Sequence, residues 1–193
     1  MRRFTPLPLV LVLALGLAAC AADDDPVEPV DEPMEPDMVE TMAGPDTTGA
    51  AVWAFLGDEA YQTNWGLWPD KGEFYTGQEP HGMLLTTYLN ATAMEALQGG
   101  ATEMPAGAVI VKENYMPDST LAALTVMVKV PGYNADHNDW FFSKHLPDGT
   151  LDQTPDGMAM EGRLTGCQNC HAARAANDYL FTGDLGGEPM ASN

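Results

Sequence analysis

The chain has 193 residues, of which 28 are acidic and 8 are basic, so its formal net charge at pH 7 is −20. Such a charge repels nucleic acid and anionic lipid surfaces, which excludes those binding classes and favours a basic protein as any electrostatic partner. With only three cysteines, the chain also lacks the material for a disulfide framework.

The first residues have the composition of an export signal. Arg2 and Arg3 precede a largely apolar run, too short to span a bilayer comfortably, that ends in Leu-Ala-Ala-Cys. We expect residues 1–19 to be a signal peptide. The ending resembles the lipobox of bacterial lipoproteins, which implies that Cys20 becomes the lipidated first residue. The alternatives are an uncleaved membrane anchor and a Cys20 that carries no lipid.

Residues 20–48 have the composition of a tether. Positions 21–48 hold ten acidic residues, no base and no apolar periodicity, which predicts a disordered Pro-rich segment. It would hold a folded domain, residues 49–193, on the periplasmic side of a membrane. Ala21 after the cysteine favours the outer membrane, by resemblance to sorted lipoproteins.

The folded part predicts an α+β domain built on an antiparallel β-sheet packed with helices. Apolar residues at helical spacing predict a first helix within 50–65, and Gly and Pro break 66–82 into a loop. A short helix is expected within 90–100, and an Ala-rich helix near the C-terminus. Runs rich in β-branched and aromatic residues predict four strands, at 83–90, 108–115, 120–130 and 139–146.

Cys167, Cys170 and His171 form a C-x-x-C-H motif on the last predicted helix. On a helix these positions are i, i+3 and i+4, so the three side chains leave from one face. Covalent haem attachment needs that arrangement, because two thiols add to the vinyl groups and the imidazole ligates the iron. The motif therefore predicts one haem c, bound by both cysteines, with His171 as the metal ligand.

Two other interpretations of the motif stay open. A zinc ion would need further ligands, for which only His81, His137 and His145 are available. A redox disulfide between the two thiols would normally follow a strand in a βαβ unit and does not require the histidine. We expect His137 and His145 to lie at the surface.

The order of these segments resembles the cytochrome P-460 and cytochrome c′-beta family over roughly residues 53–182. The segments that carry the resemblance are "GQEPHGMLLTTYLN", "PAGAVIVKENY", "LAALTVMVKV" leading into "HNDWFF", and "GCQNCHAARAANDYLFT". The resemblance implies an antiparallel sheet packed against helices, with one c-type haem between them. It also implies His171 as proximal ligand and an open iron face on the other side.

The resemblance implies roles for three more residues. Lys112 matches a lysine whose amine bonds covalently to the haem edge in P-460 members but not in c′-beta members. From the strand pattern alone, Lys112 shares a face with Ile110 and Asn114, and a solvent-facing lysine is the alternative. His81 matches a phenylalanine over the open iron face, where a histidine could move protons, bind a ligand or ligate the iron. Thr125 falls nearest to the distal glutamate of the hydroxylamine-oxidising members, which this chain lacks.

The favoured hypothesis is therefore an exported, lipid-anchored mono-haem protein that binds small nitrogen species and oxidises them. Hydroxylamine or nitric oxide would bind at the open haem face, and a soluble, basic cytochrome would accept the electrons. The alternatives are a non-catalytic nitric oxide-binding protein of the c′-beta kind and an electron-transfer cytochrome with a protein sixth ligand. A homodimer is compatible with each of them.

Overall fold

The computed structural model describes residues 44–187. The predicted signal peptide, Cys20 and the tether up to residue 43 lie outside the described residues. Within residues 44–187, no helix combines the length and the apolar character needed to cross a membrane.

A seven-stranded antiparallel sheet forms the centre of the described fold, in the order β1-β3-β4-β5-β6-β7 with β2 also paired to β3. The long strands match the four predicted ones to within a few residues, and the short ones lie in segments where no strand was predicted. The strands are β1 (Gly66–Leu67), β2 (Tyr75–Thr76), β3 (Leu84–Leu89), β4 (Val109–Tyr115), β5 (Leu121–Lys129), β6 (Trp140–His145) and β7 (Glu161–Gly162).

Two of the helices begin after residues whose side chains accept from free backbone N–H groups. Thr48 Oγ1 accepts from the Ala51 N–H at 3.2 Å, and Asn90 Oδ1 accepts from the Ala93 N–H at 3.0 Å. The predicted first helix is divided in two at Ala60, whose φ is +45°. The helices are α1 (Gly49–Asp58), α2 (Tyr61–Asn64), α3 (Ala91–Gln98) and α4 (Thr165–His171), with 3₁₀ turns at Ala135–His137 and Ala172–Asn177.

Two apolar clusters pack against the two faces of the sheet, because successive residues of a strand point to opposite sides. Val52 and Leu56 of α1 cover Val109 and Val111 on one face. On the other face, the second cluster is formed by Trp68, Leu89, Ile110, Met127, Trp140, Phe142 and Leu180. The predicted α+β fold, an antiparallel sheet packed with helices and followed by a C-terminal helix, is confirmed.

His145 is fully buried, so its predicted surface position was wrong. Its Nε2 lies 3.0 Å from Ser143 Oγ, its Nδ1 lies 3.4 Å from the Gly149 carbonyl, and its ring lies 5.5 Å from the Trp53 ring. The burial comes from α1, which carries Trp53 across the end of β6. A contact between residues so distant in the chain has no local signal.

Candidate haem site

A cavity of about 490 Å³ lies between the sheet face that carries Ile110 and the helix α4. Its volume is in the range typical of cofactor and ligand sites. The six residues that the sequence selected as candidates for the haem site all line this one cavity: His81, Lys112, Thr125, Cys167, Cys170 and His171. Their convergence brings together four separate segments of the chain.

His171 is held with one nitrogen available to a metal. Only 7% of the residue is exposed, and its Nδ1 lies 2.6 Å from the Tyr179 carbonyl oxygen, to which Nδ1–H donates. The rings of Phe142 and Phe181 each pack edge-on at 5.4 Å. Burial lowers the pKa of His171, so the imidazole is neutral with the Nε2 lone pair free. That tautomer is the one a metal-binding histidine requires.

The two cysteines are reduced thiols beside this imidazole. Cys167 is half-buried and Cys170 is exposed, and they form no disulfide. Burial raises the pKa of the Cys167 thiol, whereas reactive redox cysteines have lowered values. The arrangement therefore suits covalent attachment of a group in the cavity better than thiol–disulfide exchange.

A zinc site finds little support in the described part of the chain. Residues 44–187 contain no group of three or more His, Cys, Asp or Glu side chains placed to hold a metal ion. The other two histidines have partners elsewhere, because His145 contacts Ser143 and His137 Nδ1 lies 3.3 Å from the Tyr179 hydroxyl. A haem needs only His171 and the two thiols, which is the set that the cavity offers.

His81 faces His171 across the cavity. The two ring centroids are 6.1 Å apart and the ring planes are nearly perpendicular, at 86°. His81 Nδ1 lies 3.2 Å from Thr125 Oγ1, and that hydroxyl can itself donate to the Lys112 carbonyl oxygen at 3.4 Å. In this arrangement the His81 Nδ1–H donates to Thr125, and the Nε2 lone pair is free.

Burial, reinforced by the charge of Lys112, lowers the pKa of His81 to about 3. The ring is therefore neutral at pH 7 and a weak base. General bases work best when their pKa lies near the working pH. The geometry consequently favours His81 as a hydrogen-bond partner or a metal ligand rather than as a proton carrier.

Lys112 points into the cavity from the middle of β4, next to Ile110 on the same face. The solvent-facing alternative is therefore wrong. Its amine makes no hydrogen bond or ion pair with the described residues, and burial lowers its pKa to about 8. A lowered pKa increases the fraction of uncharged amine, which is the nucleophilic form.

Lys144 and Arg163 also line the cavity, and sequence reasoning missed both. Lys112 of β4 pairs with Thr125 of β5, which pairs with Lys144 of β6, so the three form one row across the sheet. Lys144 Nζ lies 2.8 Å from Asp152. Lys144 lies within the predicted strand 139–146, but only the register between the strands shows that it shares a row with Thr125 and Lys112.

The described lining contains three bases and no acidic residue, although residues 49–193 contain 18 acids and six bases. Positive charge is therefore concentrated at the cavity of an otherwise acidic domain. An anionic group is stabilised in such a lining, and a haem carries two carboxylates. The charge, the thiols and the neutral imidazole together fit a haem c.

The family model described as Cytochrome P460 matches residues 63–182, which is more than half of the chain. A search of curated proteins found no match. The matched range begins before His81 and ends at Thr182, and it therefore contains every residue that lines the cavity.

Proposed function

Because the chain belongs to the cytochrome P460 family, we propose that it is a mono-haem protein that binds hydroxylamine or nitric oxide at the haem face opposite His171. Membership implies a covalently bound haem c, and the chain has a single C-x-x-C-H motif. We further propose that the protein oxidises hydroxylamine and passes the electrons to a soluble, basic cytochrome. The strongly negative net charge supports a basic partner.

The observation that carries this proposal is the composition of the wall opposite His171. His81, Thr125 and Lys112 line the same cavity as the haem motif and offer polar groups on that wall. The Lys112 side chain is half-buried, and its amine faces the cavity without a partner among the described residues, so a function must account for it. A covalent bond from that amine to the haem edge would give it one; the bond would replace one N–H and one haem C–H, and an oxidant such as a peroxide would take up the two electrons released.

Each of these residues would have a separate role in the haem site. Cys167 and Cys170 would hold the haem through thioether bonds, and His171 would ligate the iron through Nε2. A bound haem would supply an iron able to bind the ligand and to take up the electrons that leave the substrate. Lys112 would fix the haem edge, and the neutral His81, oriented by Thr125, would accept a hydrogen bond from an N–H or O–H of the ligand.

The test uses the holoprotein made in a host that attaches haem to exported chains. We expect nitric oxide and hydroxylamine to bind, hydroxylamine to reduce an added acceptor steadily, and a strongly red-shifted Soret band after reduction with dithionite. In Lys112→Arg the red shift should disappear, because arginine keeps the charge but not the nucleophilic amine. Failure of both ligands to bind contradicts the proposal, whereas binding without turnover leaves a nitric oxide-binding protein.

A second candidate function is electron transfer with His81 as sixth ligand, and the distance between the histidines favours it. Zinc–imidazole bonds are about 2.0–2.1 Å long. Two bonds of that length, plus the distance from each bonded nitrogen to its ring centroid, place the two centroids about 6 Å apart. The observed separation is 6.1 Å, and both rings have Nδ1 engaged and Nε2 free. This function predicts a sharp low-spin spectrum that becomes high-spin in His81→Ala, which would then bind nitric oxide.

Export and lipidation complete the proposal. The net positive start, the short apolar run and Cys20 support a signal peptide of residues 1–19 and a lipid anchor in the outer membrane. Incorporation of labelled fatty acid should be lost in Cys20→Ser, and the protein should then leave the membrane fraction. A soluble wild-type protein without label would contradict the anchor but not the haem function.

A further inference from the structure

Asp178 lies seven residues after His171, at the end of the segment that follows the haem motif. It is only 2% exposed, yet its carboxyl group has a full set of donors. The donors to Oδ1 are Lys129 Nζ at 2.7 Å, Asn138 Nδ2 at 3.0 Å and Trp140 Nε1 at 3.2 Å, and the donor to Oδ2 is the Met104 N–H at 2.8 Å. Three separate segments of the chain thus converge on the carboxyl group of a fourth.

The backbone at this point has an uncommon conformation. Asp178 and Tyr179 both have positive φ, at +49° and +65°. Aspartate tolerates the left-handed region, but a bulky aromatic residue rarely adopts it unless the surroundings impose it. The Trp140 indole supplies part of that constraint, because its N–H also donates to the Asp178 carbonyl oxygen at 2.9 Å.

This left-handed pair turns the chain back towards the haem motif. It directs the Tyr179 carbonyl oxygen at His171 Nδ1, 2.6 Å away. The hydrogen bond to a metal-ligating histidine fixes its ring and raises its basicity. The position of the Tyr179 carbonyl is therefore a means of tuning any metal held by Nε2.

We propose that Asp178 is a positioning residue: its buried hydrogen-bond network fixes the Tyr179 carbonyl on His171 and thereby lowers the reduction potential of the haem. The inference rests on the proposed role of His171 as axial ligand. A more basic imidazole stabilises the oxidised iron, so a tight hydrogen bond keeps the potential low. Lys129 has a supporting part, since it is 5% exposed and pairs with the Asp178 carboxyl group.

The test is the reduction potential of the holoprotein, measured by equilibrium titration in wild type, Asp178→Asn and Asn138→Ala. In Asp178→Asn, the new side-chain NH2 group faces one of the N–H donors that bind the carboxylate in the wild type. The two donors repel each other, so the turn shifts. We expect the potential to rise and the iron–imidazole stretching frequency of the five-coordinate reduced form to fall. Asn138→Ala removes one donor but also places alanine in a left-handed backbone (φ +50°), so Asn138→Gly, which tolerates that φ, is measured beside it, and the potential should rise by a smaller amount in both.

Two controls separate positioning from general loss of stability. Val52→Ala weakens the apolar cluster on the far side of the sheet, and Glu103→Gln changes the exposed partner of Lys129, at 3.1 Å. Neither should move the potential. If Asp178→Asn does not fold, Asn138→Ala decides the question. An unchanged potential in the Asp178 and Asn138 variants overturns the inference, as does an equal rise in Val52→Ala.

A further variant distinguishes this failure from failure of the proposed function. His171→Ala should change the haem spectrum, because it removes the axial ligand. If it does not, the axial role fails and this inference fails with it. If the spectrum changes in His171→Ala but the reduction potential is unchanged in Asp178→Asn, only the positioning role is wrong.

Discussion

Lys112 and Glu113 are adjacent in β4, point to opposite faces of the sheet, and meet opposite surroundings. Glu113 is fully buried, and its carboxyl group accepts from the Tyr61 hydroxyl at 2.7 Å, Gln62 Nε2 at 2.6 Å and the Tyr115 hydroxyl at 2.6 Å. The Lys112 amine has no partner among the described residues and faces the cavity. A buried polar group with partners contributes to stability, whereas one without partners lowers it.

The difference separates a structural face of the sheet from a functional one. On the structural face, the tyrosines and Gln62 close around Glu113 and tie α2 to β4. On the cavity face, the row from Lys112 through Thr125 to Lys144 is left open to whatever enters. Substitutions on the first face should change stability, and substitutions on the second should change the haem.

The largest loss of stability is expected from Glu113→Ala. Removing the carboxyl group leaves the buried Tyr61 hydroxyl, the half-buried Tyr115 hydroxyl and the exposed Gln62 amide without their acceptor, which should lower the free energy of unfolding by about 2–4 kcal/mol. The measurement is urea unfolding of the holoprotein, with Glu95→Ala on the exposed surface of α3 as control. The haem spectrum of the folded variant should stay unchanged. A stability equal to that of Glu95→Ala would show that the Glu113 network is not stabilising.

High pH should destabilise the structural face. Burial and Glu113 raise the pKa of Tyr61 and Tyr115, and burial raises that of Tyr88 to about 12. Because the folded state keeps these protons above pH 10 while the unfolded state loses them, the free energy of unfolding falls as pH rises from 10 to 12. The loss is about 1 kcal/mol per pH unit for each tyrosine. Tyr61→Phe should flatten this slope, and an unchanged slope would contradict the assignment.

Substitution of Thr125, on the cavity face, should have a smaller effect, which is on ligand binding. Thr125→Val keeps the shape but removes the hydroxyl that binds His81, at a cost of about 0.5–1.5 kcal/mol for one hydrogen bond. We expect hydroxylamine to dissociate roughly 3–10 times faster, since His81 loses the orientation in which it accepts from the N–H or O–H of that ligand. Thr125→Ser retains the hydroxyl and should restore the wild-type rate. Equal rates in both variants would exclude Thr125 from the orientation of His81.

The smallest change in stability should come from Lys112→Met. The thioether chain fills similar space without burying an amine, so the free energy of unfolding should change by less than about 1 kcal/mol or increase. The red shift of the reduced haem should nevertheless be lost if the amine is bonded to the haem. A large loss of stability would place Lys112 with Glu113 as a structural residue.

Several features of the protein followed from the sequence because their spacing is local. Helical geometry places Cys167, Cys170 and His171 on one face whatever surrounds them, and strand alternation separates Lys112 from Glu113. The four long strands could be predicted for the same reason. No family knowledge was needed to expect a haem at the C-x-x-C-H motif.

Other features were decided only by contacts between distant segments. His81 and Thr125 are 44 residues apart in the chain, and the register of β5 and β6 brings Lys144 into the cavity. Burial of His145 depends on Trp53 of α1, and the carbonyl that orients His171 depends on the network around Asp178. Local propensity cannot determine such pairings, since register and burial are set by packing energies that exist only when the whole domain is assembled.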